Sequence, residues 1–140
     1  MLGRTLAVDY GMKRTGLAVC DPLGIAAHPL SAIVSPDLDQ TVAGVVHEVT
    51  ERLVERILVG LPYMPDGREG EQVQNVRVFT AALRAKLPDR IEILERDERH
   101  TTKEAKSLMR EAGMDPRKHK DKVDSMAAVV ILREWLESVQ

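Results

Sequence analysis

Apolar positions fall in two short runs at the start of the chain, Thr5 to Val8 and Leu17 to Cys20, around a glycine-punctuated stretch. The first is nearly continuous, as in a strand covered on both faces. The pattern predicts strands over about 4–9 and 15–20, joined by a turn at 11–14 as a hairpin. Asp21-Pro22-Leu23-Gly24 is turn chemistry, and 25–34 reads as a third strand interrupted by Pro29. Val42, Val45, Val46, Val49, Leu53 and Val54 then recur at helical spacing, which predicts a helix from the Pro36–Asp39 start signal to about Arg56. Residues 57–62 form a wholly apolar strand. A second helix is predicted over 69–86, with Val73, Val76, Phe79, Ala82 and Leu83 inward, and a fifth strand over 91–94. Thr101-Thr102-Lys103-Glu104 has capping-box spacing and opens a helix ending near Gly113. A basic loop over 116–122 precedes a last helix over about 124–137 that buries Ala127, Ala128, Ile131, Leu132 and Trp135. The order βββαβαβαα predicts an α/β fold, a mixed five-stranded sheet with helices on both faces.

The chain's 140 residues fit a single domain, 1–140, with room for a sizeable core. Apolar residues make 44% and charged residues 30%, an ordinary globular balance. No run is long enough to span a membrane and no apolar leader follows the start, so a soluble, cytoplasmic protein without a membrane partner is expected. Cys20 is the only cysteine, which excludes an internal disulfide and a thiolate metal site, and it reads as a small buried apolar residue. The net charge of −2 argues against indiscriminate binding to polyanions. Between Arg96 and Lys122, however, nine Lys or Arg stand against six Asp or Glu. A solvated charged face explains such a segment as well as a nucleic-acid contact does.

Candidate chemistry begins at Asp9, a carboxylate at the end of an apolar strand. A desolvated, unpartnered carboxylate costs several kcal/mol, on the order of the penalty for other buried ions, so a cation or ligand is expected to neutralise it. Two further acidic positions fall at element ends: Asp97-Glu98-Arg99 past the fifth strand, and Asp124 opening the last helix. Gathered at one point, three such carboxylates would need divalent cations between them. Oxygen-only donors suit Mg²⁺ or Mn²⁺, and two such ions about 4 Å apart serve phosphodiester cleavage. Each acid also has a plain reading. Asp124 would favour a helix's positive end, and Asp97 or Glu98 would pair with Arg99 in a polar turn.

The motifs are more specific in their order than singly. Asp9-Tyr-Gly-Met-Lys-Arg-Thr-Gly, Val59-Gly-Leu-Pro with Asp66-Gly67, Asp97-Glu-Arg-His-Thr-Thr and Val123-Asp-Ser-Met-Ala-Ala-Val-Val-Ile-Leu together resemble the YqgF/RuvX family of Holliday-junction resolvases or pre-16S rRNA nucleases. The resemblance runs along essentially the whole chain. It implies a ribonuclease-H-like fold and a divalent-metal nuclease site of Asp9, Glu98 and Asp124, as catalytic residues and metal ligands. His100 departs from the family pattern, which has an apolar residue before the Thr-Thr pair. Whether Asp97 or Glu98 faces the metals is not fixed by the sequence, and Glu98 is favoured.

Around these acids, Lys13 and Arg14 at the hairpin turn, Arg99, Lys103 and Lys106 beside the fifth strand, and Lys118, Lys120 and Lys122 on the basic loop are candidate nucleic-acid contacts. The four histidines show no metal-ligand spacing. Aromatic residues are 3%; Tyr10 and Tyr63 are available to stack on bases, while Phe79 and Trp135 fit helix faces. A platform built on aromatic stacking is therefore disfavoured. The expected activity is metal-dependent hydrolysis of structured nucleic acid, foremost at the 5′ end of pre-16S rRNA. Resolution of branched DNA is the alternative, and a two-fold branched substrate would suit a homodimer. An actin-like ATPase, which needs two lobes, and a noncatalytic nucleic-acid-binding module are further readings.

Overall fold

The computed structural model describes the backbone of residues 3–98 and 101–139; the side chains of residues 101, 102, 120–122 and 124 lie outside that description. Five strands, β1 (Arg4–Asp9), β2 (Arg14–Cys20), β3 (Ala27–Val34), β4 (Val54–Leu61) and β5 (Glu92–Asp97), form one sheet in the order β3-β2-β1-β4-β5. The β1–β2 and β2–β3 pairs are antiparallel, and β4 is parallel to both β1 and β5. Four helices, α1 (Leu38–Glu51), α2 (Glu71–Lys86), α3 (Thr101–Glu111) and α4 (Lys120–Ser138), complete the expected βββαβαβαα order.

Side chains alternate along each strand, so the sheet has two apolar faces. Leu6, Val8, Leu17, Val19, Ile57 and Val59 meet α1 and α2 through Val45, Val76, Phe79 and Leu83. Ala7, Ala18, Cys20 and Leu58 lie under α4, against Ala128, Ile131, Leu132 and Trp135. Small residues on this second face let the helix close on the strands. The α3 helix packs on α4 through Ala105, Ala127 and Val130. Cys20 is buried, as expected, and its Sγ accepts from the Thr5 amide at 3.2 Å. At the sheet's far end the Arg56 guanidinium lies 4.9 Å from the centre of the Trp135 ring and its Nε donates to Glu92 at 2.8 Å, tying β4, β5 and α4 together.

Several boundaries differ from expectation. The first helix stops at Glu51 rather than Arg56, because Leu53 takes a positive φ of 54° and Val54 already belongs to β4. The third strand begins at Ala27; Pro29 is accommodated because β3 is an edge strand. The fifth strand runs on to Asp97, since parallel pairing with β4 carries its polar half. The basic loop is a 3-10 turn (Pro116–Lys118) followed by the first turn of α4. Asp124 is thus the fifth residue of α4 and does not open it. The helix-dipole reading of this acid weakens accordingly, as that field fades beyond the first turn.

Candidate functional site

The C-terminal ends of the parallel strands β1, β4 and β5 meet at one edge, where the sheet switches from parallel to antiparallel at β1. Open α/β sheets bind ligands outside such strand ends. Asp9 ends β1, Asp97 ends β5, and β4 lies between them, so the first and fifth strands are neighbours only across β4. The Glu98 amide continues the pairing by donating to the Leu61 carbonyl at 3.0 Å.

Alternation decides which acid of the Asp97-Glu98 pair meets Asp9. Asp9 shares the α4 face with Ala7, and Glu98 shares it with Leu94, whereas Asp97 points the other way and is exposed. Glu98 is 8% exposed and hydrogen-bonded to Asp9. Its carboxyl is pushed up to about 10, first by burial, then by the charge of Asp9, the hydrogen bond to it and the charge of Asp97. Burial and the neighbouring acids thus favour one proton held between Glu98 and Asp9 over two bare carboxylates. A divalent cation between them would satisfy both groups, and the oxygen-only donors fit a hard ion. Among the described residues, no group of three or more His, Cys, Asp or Glu is placed to hold a metal.

Glycines make the room. Gly16 faces Asp9 across the β1–β2 ladder, and Gly60 follows Val59, the partner of Val8 on β4. A methyl group at residue 60 would lie 2.6 Å from Glu98 Oε2 and 2.9 Å from Ile131 Cδ1. The missing side chain of Gly60 is the seat of Glu98. At Gly11 a methyl would lie 2.2 Å from the Arg14 carbonyl oxygen, so the hairpin turn requires glycine there.

These groups open into a cleft of about 410 Å³. Asp9 and Glu98 line it, with Lys13 and Arg14 from the hairpin and Gln72 from the start of α2. Gln72 escaped notice in the sequence, where it reads as one more exposed amide. Tyr10 also borders the cleft, but its ring stacks on Phe79 at 4.5 Å between centroids, 14° from parallel. Tyr10 thus makes a core contact at the end of β1, and Tyr63 packs partly buried against the same core.

The remaining candidates are spread over the α3–α4 side. Lys103 and Lys106 are exposed on α3, and Lys118 is exposed on the 3-10 turn. Lys120 and Lys122 lie in the first turn of α4, their side chains outside the description, and Arg99 and His100 lie outside the described residues. Position 124 falls on the stripe of α4 that carries Ala128 and Ile131, four and seven residues on, the stripe that covers the sheet. Its neighbour Ser125, buried, donates from Oγ to the Leu30 carbonyl at 2.7 Å and pins this end of α4 to β3. Leu30 pairs with Leu17 and Leu17 with Val8, so the anchor lies level with the residue before Asp9. Asp66-Gly67 is turn chemistry: Gly67 has φ 88° and Asp66 accepts from the Arg68 amide at 3.0 Å.

Similar proteins place this arrangement. Relatives bearing the name "Putative pre-16S rRNA nuclease" include one from Syntrophus aciditrophicus, 38% identical over 136 residues, covering 97% of this chain and 89% of the relative. Another, from Bacteroides fragilis, is 35% identical over 140 residues and covers 98% of each chain. Among solved structures, the fowlpox virus resolvase with its substrate Holliday junction DNA matches with a TM-score of 0.58 at 12% identity, over 97% of this chain and 98% of that one. T. thermophilus RuvC with a Holliday junction substrate matches with a TM-score of 0.56 at 19% identity, over 98% of this chain and 95% of that one. At these identities the likeness is one of fold, which is ribonuclease-H-like. Residues 3–138 match the family described as "RuvX: Holliday junction resolvase", and the chain belongs to that family.

Proposed function

We propose that this chain, as one nuclease domain over 1–140, is a divalent-metal-dependent nuclease of structured nucleic acid that processes the 5′ end of pre-16S rRNA in the cytoplasm. The observation that carries the chemistry is the contact between Asp9 and the buried Glu98 in a cleft that Lys13 and Arg14 also line. The names of the relatives, which cover nearly the whole chain, support the RNA substrate.

In this reading Asp9 and Glu98 hold Mg²⁺ or Mn²⁺, with Asp124 supplied by α4. When bound, such ions activate a water and stabilise the leaving oxygen of the phosphodiester. Asp9 is fixed by β1 and by the Tyr10–Phe79 stack beside it, and Glu98 by the space above Gly60. Lys13 and Arg14 meet the phosphate from the hairpin wall. Arg99, Lys103, Lys106, Lys118, Lys120 and Lys122 hold more distant parts of the backbone, a role that carries no sequence information.

The second reading, resolution of branched DNA by a homodimer, is favoured by the description of the family and tested alongside. Four-way DNA junctions and pre-rRNA 5′ leaders are offered together with Mn²⁺ or Mg²⁺ to wild type, Asp9→Asn, Glu98→Gln and Asp124→Asn. Leader cleavage that each substitution abolishes in a folded protein is expected. Junction cleavage alone would favour the resolvase, and equal cleavage by wild type and Asp9→Asn would defeat the metal-site assignment.

A further inference from the structure

The cleft that holds Asp9, Glu98 and the cationic hairpin is also lined by Gln72, the second residue of α2. It is exposed, and its amide oxygen accepts from Asn75 Nδ2 one turn along the helix, at 3.4 Å. With the oxygen engaged on its own helix, the two donors of the Gln72 NH₂ are left for a ligand. Charge sets this donor apart from the lysines and arginines around the site. A cationic side chain beside Asp9 and Glu98 would be drawn into an ion pair with them; a neutral amide is not, and stays available to an anionic ligand. The acids and the cations of the hairpin are the other groups that a phosphodiester in this cleft would meet. The amide adds a neutral donor to them.

We propose that Gln72 is a substrate-positioning residue, whose side-chain amide donates to a non-bridging oxygen of the phosphodiester held over Asp9 and Glu98. The proposal rests on the nuclease reading of the cleft and adds a contact that neither the acids nor the basic residues provide. A neutral donor on a charged phosphate oxygen belongs to the stronger class of hydrogen bond, and its loss should weaken binding about tenfold or more.

The test uses full-length protein and a set of oligoribonucleotides spanning a pre-16S 5′ cleavage boundary. They differ only by one methylphosphonate linkage, which replaces a non-bridging oxygen with a methyl group, placed in turn at the cut and at its neighbours. Affinity is measured in Ca²⁺ for wild type, Gln72→Ala and Gln72→Glu. One methylphosphonate at or beside the cut should weaken wild-type binding about tenfold. Gln72→Ala should lose a similar factor on the unmodified strand and be less sensitive to that methylphosphonate than wild type is, since the two changes share one contact while the lost charge affects both proteins alike. Gln72→Glu should bind more weakly still, with a carboxylate facing the phosphate. Losses that multiply, or Gln72→Ala binding like wild type, or no binding of any strand by wild type, would overturn the proposal. Cleavage in Mn²⁺ is scored separately. The linkage signature without any cleavage would refute the nuclease reading and leave the Gln72 contact standing; cleavage without the signature would do the reverse.

Discussion

The carboxyl of Glu98 fills the place where residue 60 would carry a side chain, with Oε2 2.6 Å from the position of a methyl group on Gly60. The acid reaches across β4 toward Asp9 only because the strand between them is bare at that point. Gly60→Ala should push the carboxyl away from Asp9 while the sheet still forms. Overpacking of this kind costs about 1–3 kcal/mol of stability. Misplacing a catalytic group by roughly 1 Å can cost on the order of a hundredfold in rate. Thermal unfolding and metal-dependent cleavage measured on one preparation should show a modest loss in the first and a large loss in the second.

The proton shared by Asp9 and Glu98 makes the metal-free protein sensitive to base. The folded-state carboxyl of Glu98 stands at about 10, above its ordinary value of 4.5, so the native state binds this proton more tightly than the unfolded chain. Its contribution to stability is complete below about 4.5 and is lost as pH rises through about 10. In chelator, wild type should therefore become less stable from pH 6 to 9 relative to Glu98→Gln, which mimics the protonated acid. Mn²⁺ should narrow that difference and bind more tightly at higher pH, because it competes with the proton. Parallel denaturation curves with and without metal would show it; a pH-independent difference would rule it out.

Ser125 anchors the part of α4 that carries Asp124. Ser125→Ala removes the bond to the Leu30 carbonyl and should cost about 1 kcal/mol. A larger sign of its role would be a shift of the metal-activation curve to higher concentration. Activation that follows the wild-type curve would leave Ser125 a purely structural residue.

The exposed lysines of α3 should act through charge alone. Lys103→Ala and Lys106→Ala should each weaken binding of RNA leaders and DNA junctions alike, and each should reduce the slope of log affinity against log salt by about 1. A change in the preferred cleavage sequence would contradict this assignment.

Much of the architecture is written in hydrophobic spacing. Val73, Val76, Phe79 and Leu83 announce the inner face of α2, and Asp9 stands out as a charge ending an apolar strand. The misread boundary between α1 and β4 has a physical cause. Leu53 and Val54 continue the helical spacing of Val45 and Val49, yet Leu53 turns out 80% exposed in a left-handed turn. Charge has no period, so three basic residues at 118, 120 and 122 looked like a loop although α4 begins among them. The choice of Glu98 over Asp97 needs the strand's alternation and also the face that α4 covers, and the second is known only from packing. Gln72 carries no local mark at all; the cleft that gives it meaning brings together residues 9–14 with 72 and 98.

The central place of β4 also orders events in time. β1, β2 and β3 are consecutive antiparallel strands and can pair as soon as they exist, whereas β4 must return past α1 and β5 past α2. Contacts of long sequence separation form late, since loop closure must precede them. During refolding, hydrogen-exchange protection should appear in the β1–β2 hairpin before β4 and β5. Asp9 would spend that interval as a solvated carboxylate, meeting the Glu98 carboxyl only when the last strand docks.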